Sequence, residues 1–161
     1  MVLNYVVPMK ANWWLVGSSL FIYGPAVASY MVEDYPRTAY YTTVATVSVV
    51  YHATKHPVIF WIDFATANSM VITVIPVIFS RWYMVPSWAV VVAYASFVFY
   101  YGHAKRDLIW HPDPRIATSF HVSLHWLGSF AHMIAILITS SSLALEHSST
   151  PKCRLAVDDV Q

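Results

Sequence analysis

Five polar side chains stand inside mainly apolar stretches: Ser48, His52, Asp63, His121 and His125. An ionisable group in a hydrocarbon interior is costly, so it faces the inside of a bundle and marks function by default. Ser48 and His52 are four residues apart, and so are His121 and His125, a spacing that puts each pair on one helix face. Two histidines one turn apart can grip one metal ion from a single helix. A third ligand from another helix then gives a catalytic zinc set with one position left for water. His52, His121 and His125 are the three expected ligands, and Zn2+ the expected cofactor. Zinc lowers the pKa of its bound water to about 7, which makes that water the expected nucleophile. Asp63 is expected to accept a proton from the water and return it to the leaving group. Ser48 is expected to hydrogen-bond the water or the developing oxyanion. Each residue alone has a plainer reading, because single histidines and serines also serve as hydrogen-bonding and packing groups between membrane helices. Their common depth argues for a shared site. Cys153 is the only cysteine, so a metal must rest on histidine and carboxylate.

The elements that position these residues follow from composition. Of 161 residues, 58% are hydrophobic and 11% charged, with mean hydropathy +0.53. Soluble domains run near about a quarter charged. So few charges cannot coat a globule, and the net charge of +1 without a basic cluster gives no reason to expect a nucleic-acid partner. A spanning helix needs about 20 mainly apolar residues. Five segments read this way, near 11–31, 38–54, 57–80, 83–102 and 116–140. The expected fold is all-α: a polytopic transmembrane helical bundle of about five spans over 1–140, followed by a polar, disordered tail over 141–161. The expected location is an integral, multi-pass protein of the plasma membrane or an endomembrane (ER or Golgi).

Chain direction decides where the polar groups meet. If the N-terminus lies on side X, spans two and four end on X, and spans three and five begin there. Ser48, His52, Asp63, His121 and His125 then share one depth near X. Lys10, Lys55, Lys105, Arg106 and Arg115 fall on X against Arg37, Arg81, Lys152 and Arg154 on the other side, a small excess that points to X as the cytosolic side. At the first span, Lys10 and the apolar stretch Trp13 to Tyr23, followed by Gly24-Pro25 and Ala26-Val27-Ala28, resemble a signal peptide with its cleavage site. The working reading retains it as a span.

The remaining polar and aromatic groups are read more plainly. His132 is expected to make a hydrogen bond within the bundle. His56, His103 and His111 are expected to be solvated on the X side, and His147 falls in the tail. Thr66, Asn68 and Ser69 are expected to pack and hydrogen-bond. Trp13, Trp14, Tyr35, Tyr40, Tyr41, Trp82, Trp88 and Trp110 read as an interfacial belt.

The order Ser48-Val49-Val50-Tyr51-His52, Asp63 eleven residues later, and His121-Val122-Ser123-Leu124-His125 resembles the CREST superfamily of membrane hydrolases. That group includes alkaline ceramidases, adiponectin-type receptors and GPI-remodelling lipid hydrolases. The stretch SVVYHATKHPVIFWIDF resembles its central motif, especially in the GPI-remodelling branch. The resemblance implies that His52, His121 and His125 bind zinc, and that Asp63 and Ser48 attend the zinc-bound water. It also implies a seven-span fold, of which five spans would be a reduced version. The acidic residue expected just before the HxxxH is replaced by Phe120, with Thr118 and Ser119 nearby.

The expected function is a zinc-dependent intramembrane hydrolase that cleaves an amide or ester bond of a membrane lipid, ceramidase-like or acting on a lipid acyl group. A receptor-like or structural membrane protein with a non-catalytic zinc site is the first alternative. A haem-binding membrane electron carrier with histidine axial ligands is the second.

Overall fold

The computed structural model describes residues 11–149, apart from the side chains of 77–80 and 142–149. It is all-helical, with no strand among the described residues. The first helical rod begins at Asn12, whose side-chain oxygen accepts from the backbone N–H of Trp14 and Leu15 at 3.1 and 3.4 Å. That cap satisfies two N–H groups that have no partner inside the helix. Helix α1 (Trp13–Ser19) tightens into a 3-10 turn at Leu20–Ile22 and continues as α2 (Tyr23–Met31). The tightening falls just before Pro25, whose ring would clash with the carbonyl four residues back in a regular helix.

Helix α3 spans Tyr35–Thr54, three residues earlier than the span expected from Thr38. Asp34 caps it, accepting from the Arg37 N–H at 3.1 Å, and Pro36 sits in the first turn. Hydropathy placed these residues in a loop, whereas cap chemistry places them at a helix start. Lys55 closes α3 in the left-handed conformation, at φ 54°, with its N–H on the Tyr51 carbonyl at 2.7 Å. Helix α4 (Pro57–Ser80) follows at once, with Pro57 at its first position as expected.

A 3-10 turn at Trp82–Met84 leads into α5 (Val85–Ser96), a π turn at Phe97–Tyr101 and α6 (Gly102–Lys105). After a 3-10 turn at Leu108–Trp110, α7 runs over Pro114–Ser149. The helix thus continues past Ser140, so 141–149 is helical where a disordered tail was expected. The rest of that tail, 150–161, lies outside the described residues.

Helix α7 is the central element, in contact with α1, α2, α4 and α5, while α3 packs on α1, α2 and α4. The apolar core gathers toward one end. Ala26, Ala28, Tyr41 and Ile136 form one cluster, Ile22, Val44 and Ala45 a second, and Val74, Met84, Trp88 and Ala135 a third. Tyr41 and Trp88 are 2% and 4% exposed, so these two belong to the core rather than to an interfacial belt. Trp13, Trp14 and Trp82 are 74%, 80% and 80% exposed, as a belt requires.

Three helices are long and apolar enough to cross a membrane: Pro57–Pro76, Trp82–Lys105 and Pro114–Ser141. Only 6% of the apolar window in Pro57–Pro76 is buried by the protein, leaving Trp61, Ile62, Ile72 and Ile75 facing outward. A soluble monomer rarely exposes so continuous an apolar face, whereas hydrocarbon solvates it. The first rod and α3 fall short of the same measure. Helix α3 carries threonines, but Thr43 and Thr46 donate to carbonyls of their own helix at 2.9 and 2.7 Å, so these hydroxyls need no water.

Candidate metal centre

Opposite the apolar clusters, toward the α3–α4 turn, two helices bring three imidazoles together. His52 comes from the last turn of α3, and His121 and His125 from successive turns of α7. The ring centroids are 4.8 Å apart for His52–His121, 5.3 Å for His52–His125 and 4.8 Å for His121–His125. One nitrogen from each lies within 4.8 Å of the other two. A tetrahedral zinc ion with bonds of about 2.0–2.1 Å needs its ligands about 3.3 Å apart. The widest nitrogen separation would have to close by about 1.5 Å for all three to ligate one ion.

His52 is fully buried, and its Nε2 has no hydrogen-bond partner. A buried polar nitrogen without a partner costs roughly 1–3 kcal/mol. A cation coordinated there removes that cost, so the donor set fits a metal ion of the kind histidine favours, zinc among them.

The surroundings fix His125. The Ser18 hydroxyl lies 2.8 Å from His125 Nδ1 and donates to the Leu15 carbonyl at 3.0 Å. With its hydrogen committed to that carbonyl, Ser18 accepts from Nδ1–H. His125 Nε2 is then left with a free lone pair, the tautomer a metal ligand requires. Next to it, the Ser19 hydroxyl donates to the same Leu15 carbonyl at 2.8 Å and lies 3.1 Å from the Ser48 hydroxyl. Ser48 is buried, and it also faces the half-buried Asp63 carboxylate of α4. Asp63, Ser48 and the histidines therefore occupy one end of the bundle, as chain direction predicts.

Three contributors went unread in the sequence. Ser18 and Ser19 sit in a mainly apolar span, and a serine there reads as a packing residue. Lys55 reads as a turn residue, yet its Nζ lies 3.1 Å from His52 Nδ1 and 4.9 Å above the Tyr51 ring. Burial pulls Lys55 below the ordinary lysine value, and the Asp63 carboxylate opposes that pull. Asn12 also reaches the start of α7, donating to Thr118 at 2.7 Å. Two of the polar residues near the missing acidic position are thereby accounted for, since Ser119 bonds the Arg115 carbonyl at 2.9 Å.

The other histidines stand apart. His132 is 4% exposed, with Nδ1 on the Tyr41 hydroxyl at 2.7 Å and its ring edge-on to Trp88 at 4.9 Å. This is the expected bond within the bundle. His56 and His103 are exposed, and His111 is half-buried. The His147 side chain is outside the described set. Thr66, Asn68 and Ser69 bond carbonyls of their own helix at 3.0, 2.7 and 2.7 Å, and Ser69 also meets the Tyr40 hydroxyl.

An all-helical chain with a trihistidine cluster at one end of its bundle is what fold and site define. Comparison with protein-family models, curated proteins and solved structures gives no match for the chain.

Proposed function

We propose that the chain is a zinc-dependent hydrolase of the membrane interior, cleaving an amide or ester bond of a lipid. The observation that carries this reading is the convergence of His52, His121 and His125, with an unpartnered His52 Nε2 and Asp63 and Ser48 at the same end. The edge contacts among the three rings leave no slot for a porphyrin between His52 and either partner, which favours zinc over haem. The CREST-like order of these residues supports the same assignment.

Zinc in such a set supplies a Lewis acid for the carbonyl oxygen and makes water ionise near neutral pH. The protein's own residues do the rest. His52, His121 and His125 hold the ion. Asp63, half-buried beside Ser48, takes the proton released by the attacking water and delivers it to the leaving nitrogen or oxygen. Ser48, anchored on Ser19, directs its hydroxyl to Asp63 or to the developing oxyanion. The outward apolar face of α4 supports a lipid substrate that reaches this end of the bundle from the bilayer. We read the five helical rods as five membrane passes, in an endomembrane or the plasma membrane.

Fatty acid released from ceramide and from phospholipid in mixed micelles tests the reading, with purified wild type set against Asp63→Asn and His121→Ala. Wild type should release fatty acid from one of the two substrate classes, and both variants should fall by about a hundredfold or more. Release undiminished in Asp63→Asn removes Asp63 from proton transfer. Zinc binding without release from any lipid returns the chain to the receptor-like alternative.

A further inference from the structure

His52 and His125 are alike in position and opposite in what meets Nδ1. His125 Nδ1 faces a hydroxyl oxygen whose hydrogen is committed elsewhere, so it is met by an acceptor. His52 Nδ1 faces the Lys55 side-chain nitrogen at 3.1 Å. An ammonium carries donors and no acceptor. Its partner nitrogen must therefore hold the lone pair, and the imidazole proton is left on Nε2. That is the nitrogen with no partner in the buried centre of the cluster. A proton on Nε2 bars it from a metal, since ligation through Nε2 moves the proton to Nδ1, where it would point at the ammonium.

We propose that Lys55 is a latch on the metal site: its ammonium holds His52 in the tautomer that cannot ligate, so it opposes metal loading until displaced. This deepens the zinc reading and rests on it. Two effects act together. The latch fixes the wrong tautomer, and it keeps a positive charge beside the place a dication must enter. Lys55 is also held where a lysine is not the least costly residue. Its φ of 54° lies in the left-handed region, which glycine adopts without the steric cost a side chain brings. The ammonium lies 4.9 Å over the Tyr51 ring, a cation–ring contact that favours its charge. Release costs little, because a lysine at the end of a helix can extend its head to the membrane surface. Lys55 is in this sense a positioning residue, acting on the metal through His52.

Zinc affinity measured by chelator competition, with the cobalt(II) absorption spectrum as a second readout, tests the latch on detergent-purified full-length protein. The variants are Lys55→Met, which keeps an apolar stem without charge, Lys55→Gln, which adds an amide oxygen able to accept from Nδ1–H, and Lys55→Arg, which keeps a donor-only cation. Lys55→Met should bind zinc more tightly than wild type. Lys55→Gln should bind more tightly still, by about 10–100-fold overall. Lys55→Arg should match wild type. Equal or weaker affinity in both Lys55→Met and Lys55→Gln overturns the latch while leaving the metal site standing. Weaker affinity in Lys55→Met alone would mean that Lys55 serves His52 as an acceptor, and also overturns it. No zinc bound by any protein in the series, wild type included, overturns the site itself.

Discussion

The Ser18 hydroxyl joins His125 Nδ1 to the Leu15 carbonyl in a two-bond chain, 2.8 Å on one side and 3.0 Å on the other. The first helical rod thereby orients a ligand on the last. A metal-ligating histidine depends on such a partner for both tautomer and ring direction. Ser18→Ala should weaken zinc affinity by about 10–100-fold without loss of helical structure. Chelator competition and far-ultraviolet circular dichroism read the two quantities separately. Unchanged affinity would mean that Ser18 only fills space.

The second prediction concerns the other end of the bundle. Tyr41 and His132 are 2% and 4% exposed and bonded at 2.7 Å. Tyr41→Phe leaves His132 without that partner and should cost about 1 kcal/mol of stability, within the range found for hydrogen bonds between membrane helices. Zinc affinity should not move. A change in zinc affinity larger than the change in stability would tie His132 to the metal centre.

Packing gives the third. A side chain at Gly24 would collide with Met133 of α7, while one at Gly17 would meet nothing within 4 Å. Gly24→Val should therefore destabilise the contact between α2 and α7 by about 1–3 kcal/mol, the usual cost of overpacking. Gly17→Ala should be neutral or mildly stabilising. Thermal unfolding in detergent compares the pair. Equal midpoints for both variants would show that Met133 yields its space freely.

Much of the candidate site was legible because lipid-facing and core-facing apolar residues look alike, so polar residues stand out against both. Ser48 with His52, Asp63 and His121 with His125 announced themselves by type, and chain direction gave them a common end. The same likeness hid Ser18 and Ser19. Hydropathy cannot say which face of α1 meets α7, and a small hydroxyl residue packs between helices with or without a role. Lys55 was hidden differently. A left-handed lysine is not foretold by its neighbours. Helix ends followed local chemistry rather than hydropathy, as Asp34 and Pro36 show by starting α3 before Thr38. Tyr41 and Trp88 read as belt residues because aromatic side chains suit both an interface and a core. Their burial and their contacts with His132 separate the two.

Ser48 supplies a fourth prediction. Its hydroxyl bonds Ser19 at 3.1 Å and faces Asp63, but it is not among the three nitrogen ligands. Ser48→Ala should leave zinc content unchanged and lower fatty-acid release by about 10–100-fold, less than Asp63→Asn. Loss of zinc in Ser48→Ala would place the serine in the support of His52 rather than in the reaction.

The central claim is that His52, His121 and His125 hold one metal ion. Elemental analysis of purified protein after equilibration with excess zinc and desalting tests it most directly, comparing wild type with His125→Ala. Wild type should hold about one zinc ion per chain and His125→Ala almost none, because two nitrogen ligands do not retain the ion through desalting. Equal zinc in the two proteins would contradict it.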